Sequence, residues 1–268
     1  MSDTAYIRRR GEIRTYFDRT AVEALPDAAN VVYMAGKKFG TDGDPTFAWA
    51  MNTHVPALVA ERYRRSRIVA FSTLCVYPFA PLAEGGFGEE VEPGPTGDYA
   101  TSCVGRERMF GFFSRKYGTP GRLARLNYAI DLRYGVLHDI AGWVRNGKPI
   151  PLGTGFASVI WQGDANAQIL GALAHTTVPT SPLNVGGPEH MSVVLAAREF
   201  GRRFGREPVF EGEVQPDGWY NNTLAAQRLF GYPSIPLAVM IDWVADWIER
   251  GMPSHNKPTR YEERQGSF

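Results

Sequence analysis

A phenol and a thiol stand four residues apart in the run Tyr99-Ala100-Thr101-Ser102-Cys103. The pattern predicts a helix over about 99–117, where positions i and i+4 share a face, so the two side chains meet. Upstream, Arg67-Ile68-Val69-Ala70-Phe71-Ser72-Thr73-Leu74-Cys75-Val76-Tyr77 reads as an apolar strand that ends in a hydroxyl pair. Arg122–Leu126 predicts another strand, ending at Asn127. Residues of these types offer proton transfer and hydrogen bonding to an oxygen. A free phenol titrates near ~10, and work as a base near neutrality needs a shift of ~3 units, about 4 kcal/mol of differential stabilisation. A neighbouring positive charge supplies such a shift. Cys103 brings none, and a thiolate there would oppose tyrosinate formation. Each residue also has a plain structural reading: Tyr99 as a packed tyrosine with a satisfied hydroxyl, Thr73 as a strand-end cap, Asn127 as a turn residue, Cys103 as a small buried filler.

Other chemistries lack their residues. His54, His138, His175, His190 and His255 show no metal-ligand spacing, and no metal site is expected. No nucleophile elbow or phosphate loop is found. Gly153-Thr154-Gly155 reads as a turn. The formal net charge is +1, so no global field recruits nucleic acid or an anionic membrane. The run Arg8-Arg9-Arg10 reads as a solvated edge. No stretch of about 18 apolar residues predicts a membrane span, and the N-terminus lacks a signal-peptide pattern. Cys75 and Cys103 are the only cysteines and make no disulfide framework. A reducing cytoplasm is the expected compartment.

The elements that must position these residues alternate between strand and helix, which predicts an α/β fold. Ala29–Met34 is a short apolar strand ending at Ala35-Gly36, of the kind buried in parallel sheets. A helix is expected over about 45–63, with Pro56 inside it as a candidate kink. A Gly/Pro/Glu-rich loop over 78–98 reads as a candidate lid. Beyond Asn127 come predicted helices near 136–146, over 164–175 with Asp164 as N-cap, from Ser192 to Gly205, and over about 236–250. A strand runs over about 182–186, and residues 251–268 read as a polar tail.

Taken together, these segments resemble the extended short-chain dehydrogenase/reductases, the NAD-dependent nucleotide-sugar epimerases and dehydratases. The resemblance covers about residues 30–250. On it, Tyr99 matches the catalytic tyrosine, Thr73 the catalytic Ser/Thr, and Cys103 stands where the family has a lysine. Ala35, Gly36 and Lys38 match the strand-end segment along the cofactor, and Asn52 a retained helix asparagine. Asn127, in Arg125-Leu126-Asn127, matches the end of the Arg-x-x-Asn strand at the substrate, and Cys75 is placed beside it. The implied cofactor is NAD or NADP, and the implied mechanism uses the tyrosine as acid/base on a sugar hydroxyl while nicotinamide exchanges a hydride.

Two departures accompany the match. One is Cys103. The other is the glycine-rich turn that lets a backbone approach a pyrophosphate: the 30 residues before Val31 hold one glycine, Gly11. Relative to the family the chain reads as N-terminally truncated, which predicts weak or absent dinucleotide binding. The expected architecture is a truncated Rossmann-like parallel sheet over 1–127, with a small C-terminal substrate lobe over 128–268 from which the strand near 182–186 returns to the sheet. The expected function is that of an epimerase/dehydratase-like protein acting on or binding a nucleotide-sugar or a related hydroxyl/carbonyl ligand. The alternative is a non-catalytic binding or scaffold protein that keeps the fold without the redox cofactor. A homo-oligomer is expected, with Ala5–Thr15 near its interface, because loss of the opening strands would leave the Val31–Met34 strand unpaired on one side.

Overall fold

The protein was analysed as a computed structural model that describes residues 17–37 and 44–266. Arg8–Arg10, the segment Ala5–Thr15 and the cofactor-contact candidate Lys38 lie outside the described residues.

The first half supplies a parallel sheet and its helices. In chain order these are α1 (Arg19–Glu23), β1 (Asn30–Tyr33), α2 (Pro45–Trp49), α3 (Val55–Arg62), β2 (Arg67–Thr73), β3 (Ala80–Pro81), α4 (Gly97–Tyr117) and β4 (Gly121–Leu126). The second half adds β5 (Tyr128–Ile130), α5 (Val136–Asn146), β6 (Ile150–Pro151), β7 (Phe156–Trp161), α6 (Gln162–Gly171), β8 (Ser181–Val185), β9 (His190–Ser192), α7 (Val193–Phe204), β10 (Phe210–Glu211), β11 (Asp217–Gly218), α8 (Leu224–Phe230) and α9 (Leu237–Glu249).

The main sheet has four parallel strands in the order β1-β2-β4-β8. Register places Ala70 beside Leu123 and Phe71 beside Ala124. Because side chains alternate along a strand, Ile68, Ala70 and Leu123 face one layer with Leu58, Val59 and Phe110 of α3 and α4. Val69, Ala124 and Leu183 face the other, with Ile169 of α6 and Ala226 of α8. Helices thus cover both faces, as an apolar parallel sheet requires. A second sheet, β5-β7-β9, joins a separate core built from Ile130, Val136, Ile140, Val144, Phe200 and Val244.

Local chemistry explains several boundaries. The Ser192 hydroxyl accepts from the Leu195 amide at 3.3 Å to start α7, and left-handed Gly205 ends it. The helical segment over 45–62 is continuous but holds a π-helical turn, Ala50–His54, ahead of Pro56. Pro56, which has no N–H to donate, follows that π-helical turn.

Three expectations are corrected. The helix expected over 164–175 begins at Gln162 and tightens to a 3₁₀ turn from Ala172. Asp164 is not its N-cap; its carboxylate accepts from the Ser234 hydroxyl at 2.6 Å and the Ile235 amide at 3.0 Å, a contact across 70 residues that no local pattern encodes. The 251–268 stretch is no loose tail over its described part. Thr259 donates its amide and hydroxyl to Asp139 at 2.7 and 2.6 Å, Tyr261 is fully buried, and the Arg264 guanidinium lies 4.0 Å from the Phe79 ring centroid. The 78–98 loop is pinned as well: Glu89 accepts from the Asn184 amide at 2.8 Å, and the Phe87 carbonyl from the Asn222 amide at 2.9 Å. Among the described residues no helix is long and apolar enough to cross a membrane.

Candidate functional site

A cavity of about 290 Å³ opens at the carboxyl ends of the parallel strands. Ligands of open α/β sheets bind at this edge, since the chain leaves every strand there and loops converge. Gly36 follows β1, Thr73 ends β2 and Asn127 follows β4; all three line the cavity. Tyr99 and Arg106 reach it from α4, and Cys75 from the 3₁₀ turn Leu74–Val76 after β2. The second half closes the far side with Tyr128, Tyr134 and Thr259.

Tyr99, Thr73 and Cys103 come together. The Thr73 hydroxyl accepts from the Cys75 amide at 3.2 Å, capping the turn, and stands close enough to the Tyr99 phenol to favour its ionised form. One Thr73 oxygen therefore caps the strand end and neighbours Tyr99. Cys103 is fully buried and packs against Tyr99. Burial pushes the Tyr99 phenol well above its usual range; the two thiols add to the rise, and Arg106 and Thr73 only oppose it. Burial likewise raises the Cys75 thiol to about 12 and pushes the Cys103 thiol up. Tyr99 is thus a protonated phenol at neutral pH, suited to donate a hydrogen bond or a proton rather than to accept one.

Asn52 has a different place. It is fully buried in the π-helical turn and does not line the cavity. Its amide oxygen accepts from the Lys37 amide at 2.8 Å and from Arg106 at 2.6 Å. Its nitrogen donates to the Lys37 carbonyl at 3.1 Å and the Ser102 hydroxyl at 3.0 Å. Asn52 therefore clamps the Ala35-Gly36-Lys37 segment from behind. Ala35 packs into the core on that side, and Gly36 presents backbone to the cavity. The Asn127 amide is also engaged, donating to Asn221 at 3.1 Å and accepting from the Tyr128 amide at 2.7 Å.

Arg106 escaped the sequence reading. It lies seven residues after Tyr99 and three after Cys103, on the face that they share, and that spacing was the available signal. Its guanidinium donates to the Phe71 carbonyl at 2.8 Å and to Asn52, and a Cβ added to Gly36 would overlap it. The cation missing at position 103 is thus present one turn further along, against the strand end.

The described residues do not fit a dinucleotide lying along that strand end. Arg106 fills the space over Gly36, and position 103 offers a neutral thiol in place of a cation. Among the described residues no group of His, Cys, Asp and Glu could hold a metal ion.

No protein-family profile matches the chain, and no curated protein sequence matches it significantly. Solved structures do match. UDP-glucuronic acid 4-epimerase from Bacillus cereus, in complex with NAD, superposes with a TM-score of 0.71 at 18% identity, covering 84% of this chain and 75% of that one. UDP-glucose 4-epimerase from Thermus thermophilus, in complex with NAD, gives 0.70 at 19% identity, covering 87% and 83%. RMD from Pseudomonas aeruginosa, complexed with NADPH, gives 0.72 at 15% identity, covering 88% and 87%. The chain has the Rossmann-like fold of the NAD-dependent nucleotide-sugar epimerases, the fold expected from the residues at 30–250.

Proposed function

We propose that this protein is epimerase/dehydratase-like and binds a nucleotide-sugar or a related hydroxyl/carbonyl ligand, with its sugar-type group in the Tyr99 cavity, and that NAD-dependent hydride exchange is not its activity. One observation carries the reading: the Tyr99–Thr73 hydroxyl pair stands at the strand ends with a buried thiol in place of a cation beside it. The pair can hold a ligand oxygen, with Tyr99 donating. Position 103 places no charge beside Tyr99, and burial of the phenol outweighs the opposing effect of Arg106. NAD or NADP would supply hydride transfer if bound; the thiol at 103 and the guanidinium over Gly36 argue against that. The structural neighbours support the ligand class, since the epimerases among them are named for UDP-sugars.

Calorimetry of the intact chain with UDP-glucose, UDP-galactose, NAD and NADP tests the reading. Heat from a UDP-sugar and none from either dinucleotide is expected. Micromolar affinity for NAD or NADP would overturn the second part, and silence from both sugars would overturn the first. Cys103→Lys alone is expected to give no turnover with added NAD, because it restores charge and not the hydride carrier.

Self-association belongs to the same proposal. β1 pairs only with β2 among the described residues, and Met34 beyond it is 68% exposed. Such an edge invites pairing with another chain. Sedimentation is expected to show a homo-oligomer; a monomer at all concentrations would refute this.

A further inference from the structure

The cavity's charge is one-sided. Arg106 and Lys37 line it, and no aspartate or glutamate does among its described lining residues. Lys37 has other engagements, since its ammonium lies 4.9 Å from the Phe47 ring centroid and its charge acts on Asp44. Arg106 is the anomaly. It is 7% exposed, its terminal nitrogens donate to neutral oxygens, no described carboxylate pairs with it, and its Nε–H finds no acceptor among the described residues. A guanidinium removed from water without a counter-charge is costly, and a buried donor without an acceptor adds to that cost. Across the cavity the Tyr128 hydroxyl is a second buried polar atom without a partner among the described residues. Glu107, next along the helix, offers no relief, because both its oxygens are taken up by Arg125 and Ser72.

We infer that the cavity takes a monosaccharide-sized hydroxy acid, or the corresponding part of a larger ligand, with its carboxylate neutralising Arg106. The proposal rests on the cavity being a ligand site, as above, and goes further by naming the charged group. Two of the five guanidinium N–H groups are donating, and one guanidinium without a described carboxylate beside it matches a singly charged group. A phosphate dianion would bring a second negative charge, and Lys37, the other cation on the described wall, is already engaged with Phe47 and Asp44. The remaining lining, Tyr99, Thr73, Tyr128 and Asn127, suits hydroxyls. The volume suits a single sugar ring rather than a whole nucleotide sugar, which would have to extend beyond it.

Calorimetric titration of the intact chain with glucuronate, glucose and glucose 6-phosphate tests this. Glucuronate is expected to bind about tenfold or more tighter than glucose, the scale of one charge-assisted hydrogen bond. Arg106→Met should bring glucuronate down to the level of glucose, and Arg106→Lys should keep part of the preference. Equal binding of glucuronate and glucose, or a preference that survives in folded Arg106→Met, would overturn the inference; so would a preference for glucose 6-phosphate. The wild-type comparison decides even if the variant fails to fold. UDP-glucose binding without a glucuronate preference would leave the proposed function standing and sink this inference. A glucuronate preference without UDP-sugar binding would do the reverse.

Discussion

Arg106 and Glu107 are neighbours on α4, both more than nine-tenths buried, and their circumstances are opposite. Consecutive helical residues point about 100° apart, so one reaches the cavity and the other the sheet. Glu107 accepts from Arg125 at 3.0 and 2.7 Å and from the Ser72 hydroxyl at 2.6 Å. Arg125 also donates to the Tyr77 hydroxyl at 2.6 Å, which in turn donates to the Asn184 side chain at 3.0 Å. This network ties α4, β2, β4 and β8 together with every charge paired. Arg106 has two neutral acceptors and an idle donor. Burial for architecture comes with full satisfaction of polar groups; the incomplete satisfaction of Arg106 is what the inferred carboxylate would relieve.

The contrast breaks most directly at Glu107. Glu107→Gln leaves Arg125 buried without its counter-charge and should cost about 3–5 kcal/mol in urea unfolding. A loss below about 1 kcal/mol would mean that the network is not the structural side of the helix.

Asn52 comes next, because it anchors the cavity side. Asn52→Ala strands the Lys37 amide and removes an acceptor from Arg106; a loss of about 2 kcal/mol is expected in thermal unfolding, given ~1–3 kcal/mol for each buried group left unpaired. An unchanged midpoint would show that the strand end needs no clamp.

The smallest effect is the one read per pH unit. Burial holds Cys75 protonated up to about 12, while an unfolded thiol ionises near ~8.5. The folded state therefore binds the proton more tightly. Its advantage is complete below about pH 8.5 and is lost as pH rises toward 12, at about 1.4 kcal/mol per pH unit from this group. Cys103 shifts in the same direction. Unfolding midpoints from pH 7 to 10.5 should fall with this slope, and Cys75→Ala should flatten it. A wild-type slope that the substitution leaves unchanged would place the titration elsewhere.

Much of the frame was legible in local pattern. The apolar run around Val31–Tyr33, the Ile68–Phe71 strand, the caps at Ser192 and Gly205, and the turn at Asn146-Gly147 all depend on near neighbours. The meeting of Tyr99 and Cys103 was legible too, from helical spacing, and Thr73 joined them through the family resemblance. Asp164 was misread as a cap because its partners lie at 234 and 235. The 251–268 stretch was misread as a tail because its polar residues find partners at Asp139, Gly153 and Asp217.

By itself the sequence determined the α/β alternation, the strand ends that gather Thr73 and Asn127, and the neutral thiol beside Tyr99. These follow from backbone periodicity and side-chain chemistry, which are properties of short segments. Only the tertiary structure decided that Glu107 is paired and Arg106 is not, that Asn52 clamps the wall instead of lining it, and that Thr259 closes the cavity. The physical reason is that the state of a buried charge depends on what is packed against it, and those groups come from parts of the chain far apart in sequence.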